Sequence, residues 1–444
     1  MRHTLTIARL TILIVVRQGT LWGLFGLVTG VAILIFFLSV GDEVLVNELQ
    51  LRIHYSYALA YSLLTLMIIA LSCFIVRSEI DGHQVHLLTS CPITRQEIWL
   101  GKWVGLSAIA VVAECILIAV ITGCSFLYPR AYAVDDVAAA KAFFQVIRVE
   151  SGPLQPSLQA LTEERITGLI HDNRLDPADL DEETWQANFD EVRKKDQLVP
   201  KGDAKTWTFD LKRKPSRGDY LGLVYRLYAD DRWAPVTGSW RLVTAGSPEA
   251  FIREFEVYPY VFNTVEIPIS QVPESGRFEI TLTNLGDRDV IVPRTAGLRV
   301  FYEDGRLVYN IVKAFCAQTV HLLVTVAVGL MAGVAFTFSV AAFLSMVLFL
   351  LSVSAGMFTT VVAELTGGHH VAAWERLSVL VINSGMWLAK GLQPPEVIGR
   401  VSSGVSIPVT ELAVSWLPAV VLYGVVTSVI GIILLRSKEL DKIV

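Results

Sequence analysis

Residues 77–102 read RSEIDGHQVHLLTSCPITRQEIWLGK. They lie between two long apolar runs, at about 57–76 and 103–128, where a membrane hairpin needs only a few polar residues to turn. The chain places about 26 residues there, with charges of both signs, two histidines and a proline. A spanning helix needs roughly 20 apolar residues, so each flanking run is long enough to be one. The polar stretch between them is read as a segment that something on its side of the membrane holds.

Applied outward, the same length test finds six spans, at about 21–40, 57–76, 103–128, 312–336, 339–362 and 412–435. The fourth and fifth almost fuse, with only FTFSV at 336–340 between them, which predicts a tight hairpin. Composition agrees. Of 444 residues, 53% are hydrophobic and 18% charged, and the mean hydropathy is +0.52. That is too apolar for an ordinary soluble domain. The net charge of -5 is mild and leaves no basic footprint for nucleic acid. The first run begins too late and is too long for a cleavable leader, and no small-residue cleavage site follows it.

Basic residues flanking the spans set orientation. Arg2, Arg9 and Arg17 precede the first span, Arg77, Arg95 and Lys102 sit in the opening stretch, and Arg436, Lys438 and Lys442 follow the last. Six spans put all three groups on one side. Both termini are therefore expected in the cytoplasm, and the large middle segment outside it. Cys73, Cys115, Cys124 and Cys316 fall within spans and Cys91 in the opening stretch, so no disulfide framework is expected in the outer segment. His83, His86 and Asp81 have no second ligand cluster beside them, so neither a metal nor a cofactor is predicted.

Residues 1–20 are apolar but interrupted by Arg9 and Arg17. They suit a helix lying in the membrane interface, or a simple extension of the first span. Residues 129–310 read as an extracytoplasmic α+β domain. Its first part, with DVAAAKAFFQVI, SLQALTEERITGLI and DEETWQANFDEVRKK, has helical spacing. From about residue 205 the period changes to two. In GRFEITLTNLGD, Phe278, Ile280 and Leu282 alternate with Glu279, Thr281 and Thr283 before a turn. Six or so such strands predict an antiparallel β-sandwich. Trp207, Trp233, Trp240, Tyr225, Tyr228, Tyr258 and Tyr260 suit either a ligand surface or, at strand spacing, the core; we read them as core. Residues 363–411 carry Glu375, Arg376 and Lys390 and are too polar for a seventh span, so they read as an outer interfacial segment with Trp374 and Trp387 at headgroup level.

The opening stretch also carries Glu79, Gly82, Leu87-Leu88, Pro92, Arg95, Glu97-Ile98 and Gly101-Lys102. Set between spans two and three, this string resembles the cytoplasmic loop of ABC-2-type transporter permeases, E…G…LL…P-x-x-R-x-E-I-x-x-G-K. Arg436 and Glu439-Leu440 after the last span resemble that family's exit, although Lys438 stands where a second arginine is often seen. The membrane halves look most similar to the permease group associated with multicopper-enzyme maturation and nitrous oxide reductase assembly. The resemblance covers roughly 260 residues. It implies a bacterial inner-membrane subunit working with two copies of an ATP-binding subunit and a second permease copy or paralogue. It further implies a coupling helix in which Glu79, Arg95, Glu97 and Lys102 offer rim charges, Leu87 and Leu88 an apolar anchor, and Pro92 a helix stop. Two alternatives stand beside transport: a machine that relays motion to a periplasmic partner, and an unpowered receptor or anchor. The chain has no phosphate-cradling loop, because Gly101-Lys102 is followed by Trp103 and lacks the upstream glycine. An enzyme activity of its own is therefore not expected.

Two ionisable residues fall inside spans. Glu114 lies about 12 residues into span three, near the bilayer middle at 1.5 Å per residue. His321 lies in span four, nearer the outer side, where a direct pair with Glu114 would be strained. An intramembrane carboxylate marks a functional site, with structural glue between helices as the rival. Gly26-x-x-x-Gly30, Gly101-x-x-x-Gly105 and Gly329-x-x-x-Gly333 permit close helix approach.

Overall fold

A computed structural model describes residues 2–39, 45–82, 93–128, 146–176, 180, 182–243, 251–294, 297–354 and 392–440. The chain divides into two units, one from residues 1–145 with 307–444 and one from 146–306.

The first unit is helical. Helix α1 (Arg2–Arg17) is separated from α2 (Gly19–Leu38) by Gln18, whose backbone is extended at φ -77°, ψ 114°. The N-terminal segment is therefore not an extension of the first span. Its buried residues Ile7, Ala8, Thr11 and Val15 recur at helical spacing and make one stripe. That stripe packs on α4 (Arg95–Leu127), where a Cβ at Gly105 would stand 2.8 Å from the Ala8 carbonyl oxygen. Between α2 and α4 in chain order comes α3 (Leu45–Asp81), 37 residues and about 55 Å long. It begins a dozen residues before the predicted second span.

Helix α7 (Leu307–Ala335) packs against α3 through Gly329 and Gly333; a Cβ at Gly333 would lie 2.8 Å from the Cys73 carbonyl oxygen. Among the described residues, Gly26 and Gly30 on α2 have nothing within 4 Å of the same position. Phe336 and Thr337 alone then turn the chain into α8 (Phe338–Val353), the expected tight hairpin. After α9 (Ile398–Ser402), a π-helical turn over Leu412–Trp416 leads into α10 (Leu417–Leu440). Pro418 explains that turn, since it has no N–H to bond back into the preceding helix. Among the described residues, four helices are long and apolar enough to cross a membrane: Leu21–Leu38 within α2, then α3, α4 and α7. Two shorter apolar helices accompany them, Phe338–Val353 and Val420–Arg436. The outer segment 363–411 lies outside the described residues up to 391.

The second unit holds ten strands among its described residues: β1 (Val146–Ser151), β2 (Leu198–Val199), β3 (Ala204–Asp210), β4 (Tyr220–Arg226), β5 (Val236–Val243), β6 (Phe251–Val257), β7 (Phe262–Pro268), β8 (Arg277–Asn284), β9 (Val290–Ile291) and β10 (Leu298–Arg306). They form two four-stranded antiparallel sheets, β1-β10-β4-β7 and β3-β8-β5-β6, and a short β2-β9 pair. The helices expected over 157–170 and 181–195 are α5 (Leu158–His171), capped by Ser157, and α6 (Glu182–Gln197). Val146 and Ile147, read as the end of a helix, are strand instead. Val146 pairs with Arg306 at the end of β10, a bulge follows before Arg148, and β-branched residues favour strand over helix.

In β8, Phe278, Ile280 and Leu282 are buried while Arg277 and Glu279 are exposed, the alternation the sequence carries. These side chains join Trp207, Phe209, Leu221, Leu223, Tyr225, Trp240 and Leu242 in one core. The Tyr225 and Trp240 rings meet at 5.0 Å between centroids. Burial pushes the Tyr225 hydroxyl up to about 12. Three of the aromatics read as core are not: Trp233 is 79% exposed, and Tyr258 and Tyr260 are also exposed. They sit in connections, where strand alternation does not place side chains.

Candidate functional site

The polar residues of the helical unit gather at three levels. The middle level joins α3, α4 and α7. Glu114 is fully buried, and its Oε2 accepts a hydrogen bond from Thr319 Oγ1 at 3.1 Å. Among the described residues its Oε1 has no partner. Tyr57 donates to Gln318 Oε1, and the Gln318 amide nitrogen is buried with no acceptor. The Tyr61 hydroxyl lies 2.8 Å from His321 Nδ1 and 3.2 Å from the Gln318 carbonyl oxygen. His321 Nε2 lies 2.8 Å from the Leu392 carbonyl oxygen. A carbonyl only accepts, so Nε2 carries the proton and Nδ1 of the neutral ring accepts from Tyr61. Glu114 and His321 therefore do not pair directly. Each is bonded to a hydroxyl of another helix instead, Thr319 and Tyr61 respectively.

The second level is the stretch quoted at the outset. Glu79 lies in the last turn of α3 and Lys102 in the third turn of α4, and their side chains form a buried ion pair. Helix α4 starts at Arg95 because Thr94 caps it: the Thr94 hydroxyl accepts from the Glu97 N–H, and the Glu97 carboxylate accepts from the Thr94 N–H at 3.0 Å. The four charges expected on a single coupling helix thus stand on two. Glu79 and Lys102 pair with each other, and Glu97 caps the helix start. Arg95 lies beside it, part-exposed. Leu87, Leu88 and Pro92 fall outside the described residues. A small pocket beside the pair is lined by Val76, Ile80, Ile98, Trp99, Val334 and Leu435, so α3, α4, α7 and α10 converge there. No family model matches this chain, and no curated protein matches it.

The third level, at the opposite ends of α3 and α4, was missed by the sequence reading. Arg52 is buried and donates to the Phe36 carbonyl oxygen at 2.6 Å and to that of Phe37 at 3.1 Å, which closes the C-terminal end of α2. Glu48 lies 3.6 Å from its guanidinium, and the Tyr128 ring sits 4.2 Å beneath it. Tyr128 donates to Glu48 Oε2 at 2.9 Å. The signal was present: a Glu and an Arg four residues apart, directly before an apolar run, mark a pair that can be buried within one helix.

Proposed function

We propose that this chain is the membrane-spanning subunit of an ABC-type transporter. Six helices cross the bacterial inner membrane, both termini are cytoplasmic, and residues 129–310 lie outside as a domain built around a β-sandwich. α8 and α10 supply the fifth and sixth crossings. The sandwich is supported by the common core of the two sheets and by the ring contact between Tyr225 of β4 and Trp240 of β5. Two such chains, or this one with a paralogue, assemble with two ATP-binding subunits, because the chain has no phosphate-cradling loop of its own.

The observation that carries this reading is the Glu79–Lys102 pair beneath the permease-like string. A partner bound to residues 83–95 pushes on a hairpin whose two legs are tied together, so the push moves α3 and α4 as one body. Tagged full-length protein, purified from its native membrane, is expected to bring down an ATPase whose hydrolysis rate depends on the chain. Charge reversal at Arg95 is expected to lower that stimulation. A stable, active complex containing no ATPase overturns the reading.

A second reading, transmission of the same motion to a periplasmic partner, is favoured by one end of the outer unit. Arg226 packs over the Phe262 and Tyr228 rings, and Arg232 over Trp233 and Tyr260. Arginine with exposed aromatics is the composition of interface hot spots. Strand register puts Arg226 opposite Phe262 and Tyr225 opposite Leu298, whereas the points of entry and exit, Val146 and Arg306, pair at the other end of the same sheet. The patch is thus at the far end from the chain's attachment. Alanine at Trp233 and Tyr260 that abolishes the biological output while ATP hydrolysis by the complex persists selects this reading.

A further inference from the structure

We propose that Glu114 is a proton-binding group, held as the neutral acid in a site between α3, α4 and α7, which takes its proton from and returns it to bulk water. The carboxyl is fully buried in the middle of a helix long and apolar enough to span a membrane. From α3 the nearby groups are Tyr57 and Tyr61, and from α7 Thr319 bonds it, while Gln318 and His321 of α7 bond to those two tyrosines. Among the described residues no lysine, arginine or second carboxylate forms an ion pair with it. His321, the one base in the cluster, has both ring nitrogens engaged, with Tyr61 and with the Leu392 carbonyl. A lone carboxylate in such a place is costly, and a single hydroxyl donor offsets only part of that cost, so the acid form prevails.

One further atom points to an exchangeable occupant: among the described residues Glu114 Oε1 is buried with no partner, while Thr319 holds the other carboxylate oxygen.

Glu114 sits twelve residues, about 18 Å, along α4 from Lys102. Displacement of α4 against α7 parts Glu114 from Thr319, which removes the one donor that favours the ionised form, and the proton is held more tightly. Return of the helix loosens it. This link to helix movement rests on the function proposed above; the binding of the proton does not.

Infrared spectroscopy of the purified full-length protein in lipid nanodiscs tests the two parts separately. Near pH 7, where exposed carboxylates have ionised, wild type is expected to show the carbonyl stretch of one protonated carboxyl per chain. Glu114→Gln is expected to lose it. Thr319→Val, which leaves the carboxyl in place, is expected to raise the pH at which the band disappears. It reads the site even if the glutamine variant does not fold. A wild-type spectrum without the band, or a band that persists in Glu114→Gln, overturns the proposal. So does a band abolished by sodium or potassium at constant pH, which would make this a cation site. With the band present, the reconstituted ATPase complex is expected to change its intensity on nucleotide binding. A nucleotide-independent band removes the coupling and leaves the proton site standing.

Discussion

Two glycine pairs with the same spacing are expected to respond in opposite ways to the same substitution. At Gly333 an added Cβ meets three backbone atoms of Cys73, at 2.8, 3.1 and 3.3 Å. Ordinary contact begins about 0.6 Å farther out than the closest of these, taking roughly 3.4 Å as contact. Backbone cannot rotate away as a side chain can, so α3 and α7 must separate. Overpacking of this kind costs about 1–3 kcal/mol. At Gly30 the same atom meets nothing within 4 Å, and only the helix-propensity gain of about 1 kcal/mol remains. Both substitutions are glycine to alanine within apolar helices, so propensity cancels in the comparison. Gly333→Ala is therefore expected to be about 1–3 kcal/mol less stable than Gly30→Ala. Reversible unfolding in mixed micelles, followed by circular dichroism, measures the difference. Equal stabilities for the two variants would refute the close α3–α7 seam.

Three other expectations follow from described contacts. Lys102→Met is expected to cost about 3 kcal/mol by leaving the Glu79 carboxylate buried and alone, and adding Glu79→Leu to restore most of it, as read by a double-mutant cycle. Arg52→Ala is expected to destabilise by about 2–4 kcal/mol, because it frees the α2 carbonyls, the Glu48 carboxylate and the Tyr128 ring together; an unfolding midpoint equal to wild type contradicts the buried cluster. Trp240→Ala is expected to lose about 3–5 kcal/mol and Trp233→Ala less than about 0.5 kcal/mol, so thermal melts of the two variants separate core from surface aromatics.

The sheets were legible because alternation is a local signal: in β8 each second residue declares its face. Among the described residues four of the expected apolar helices were legible from equally local signals, and the length of one was misjudged where charge interrupted the apolar window. Glu48 and Arg52 cut short the predicted second span, yet α3 runs through them, since the pair is satisfied within the helix and by the end of α2. The candidate site was legible only as single residues. Glu114 and His321 stand out as ionisable groups in apolar runs, but Tyr57, Tyr61 and Gln318 look like ordinary amphipathic residues until α3 and α7 are brought together. Likewise Glu79 and Lys102 are 23 positions apart, and nothing local says that they face each other rather than a partner. Pairings across helices depend on packing, which periodicity does not encode.

The unbroken length of α3 has a mechanical consequence. A rod of 37 residues with no proline is stiff over its whole course. Pivoted at its midpoint, a tilt of about 10° sweeps each tip through about 5 Å, in opposite directions, given a half-length of about 27 Å. A displacement near Glu79 is thereby returned, undiminished and reversed, near Glu48, at the opposite end of the helix.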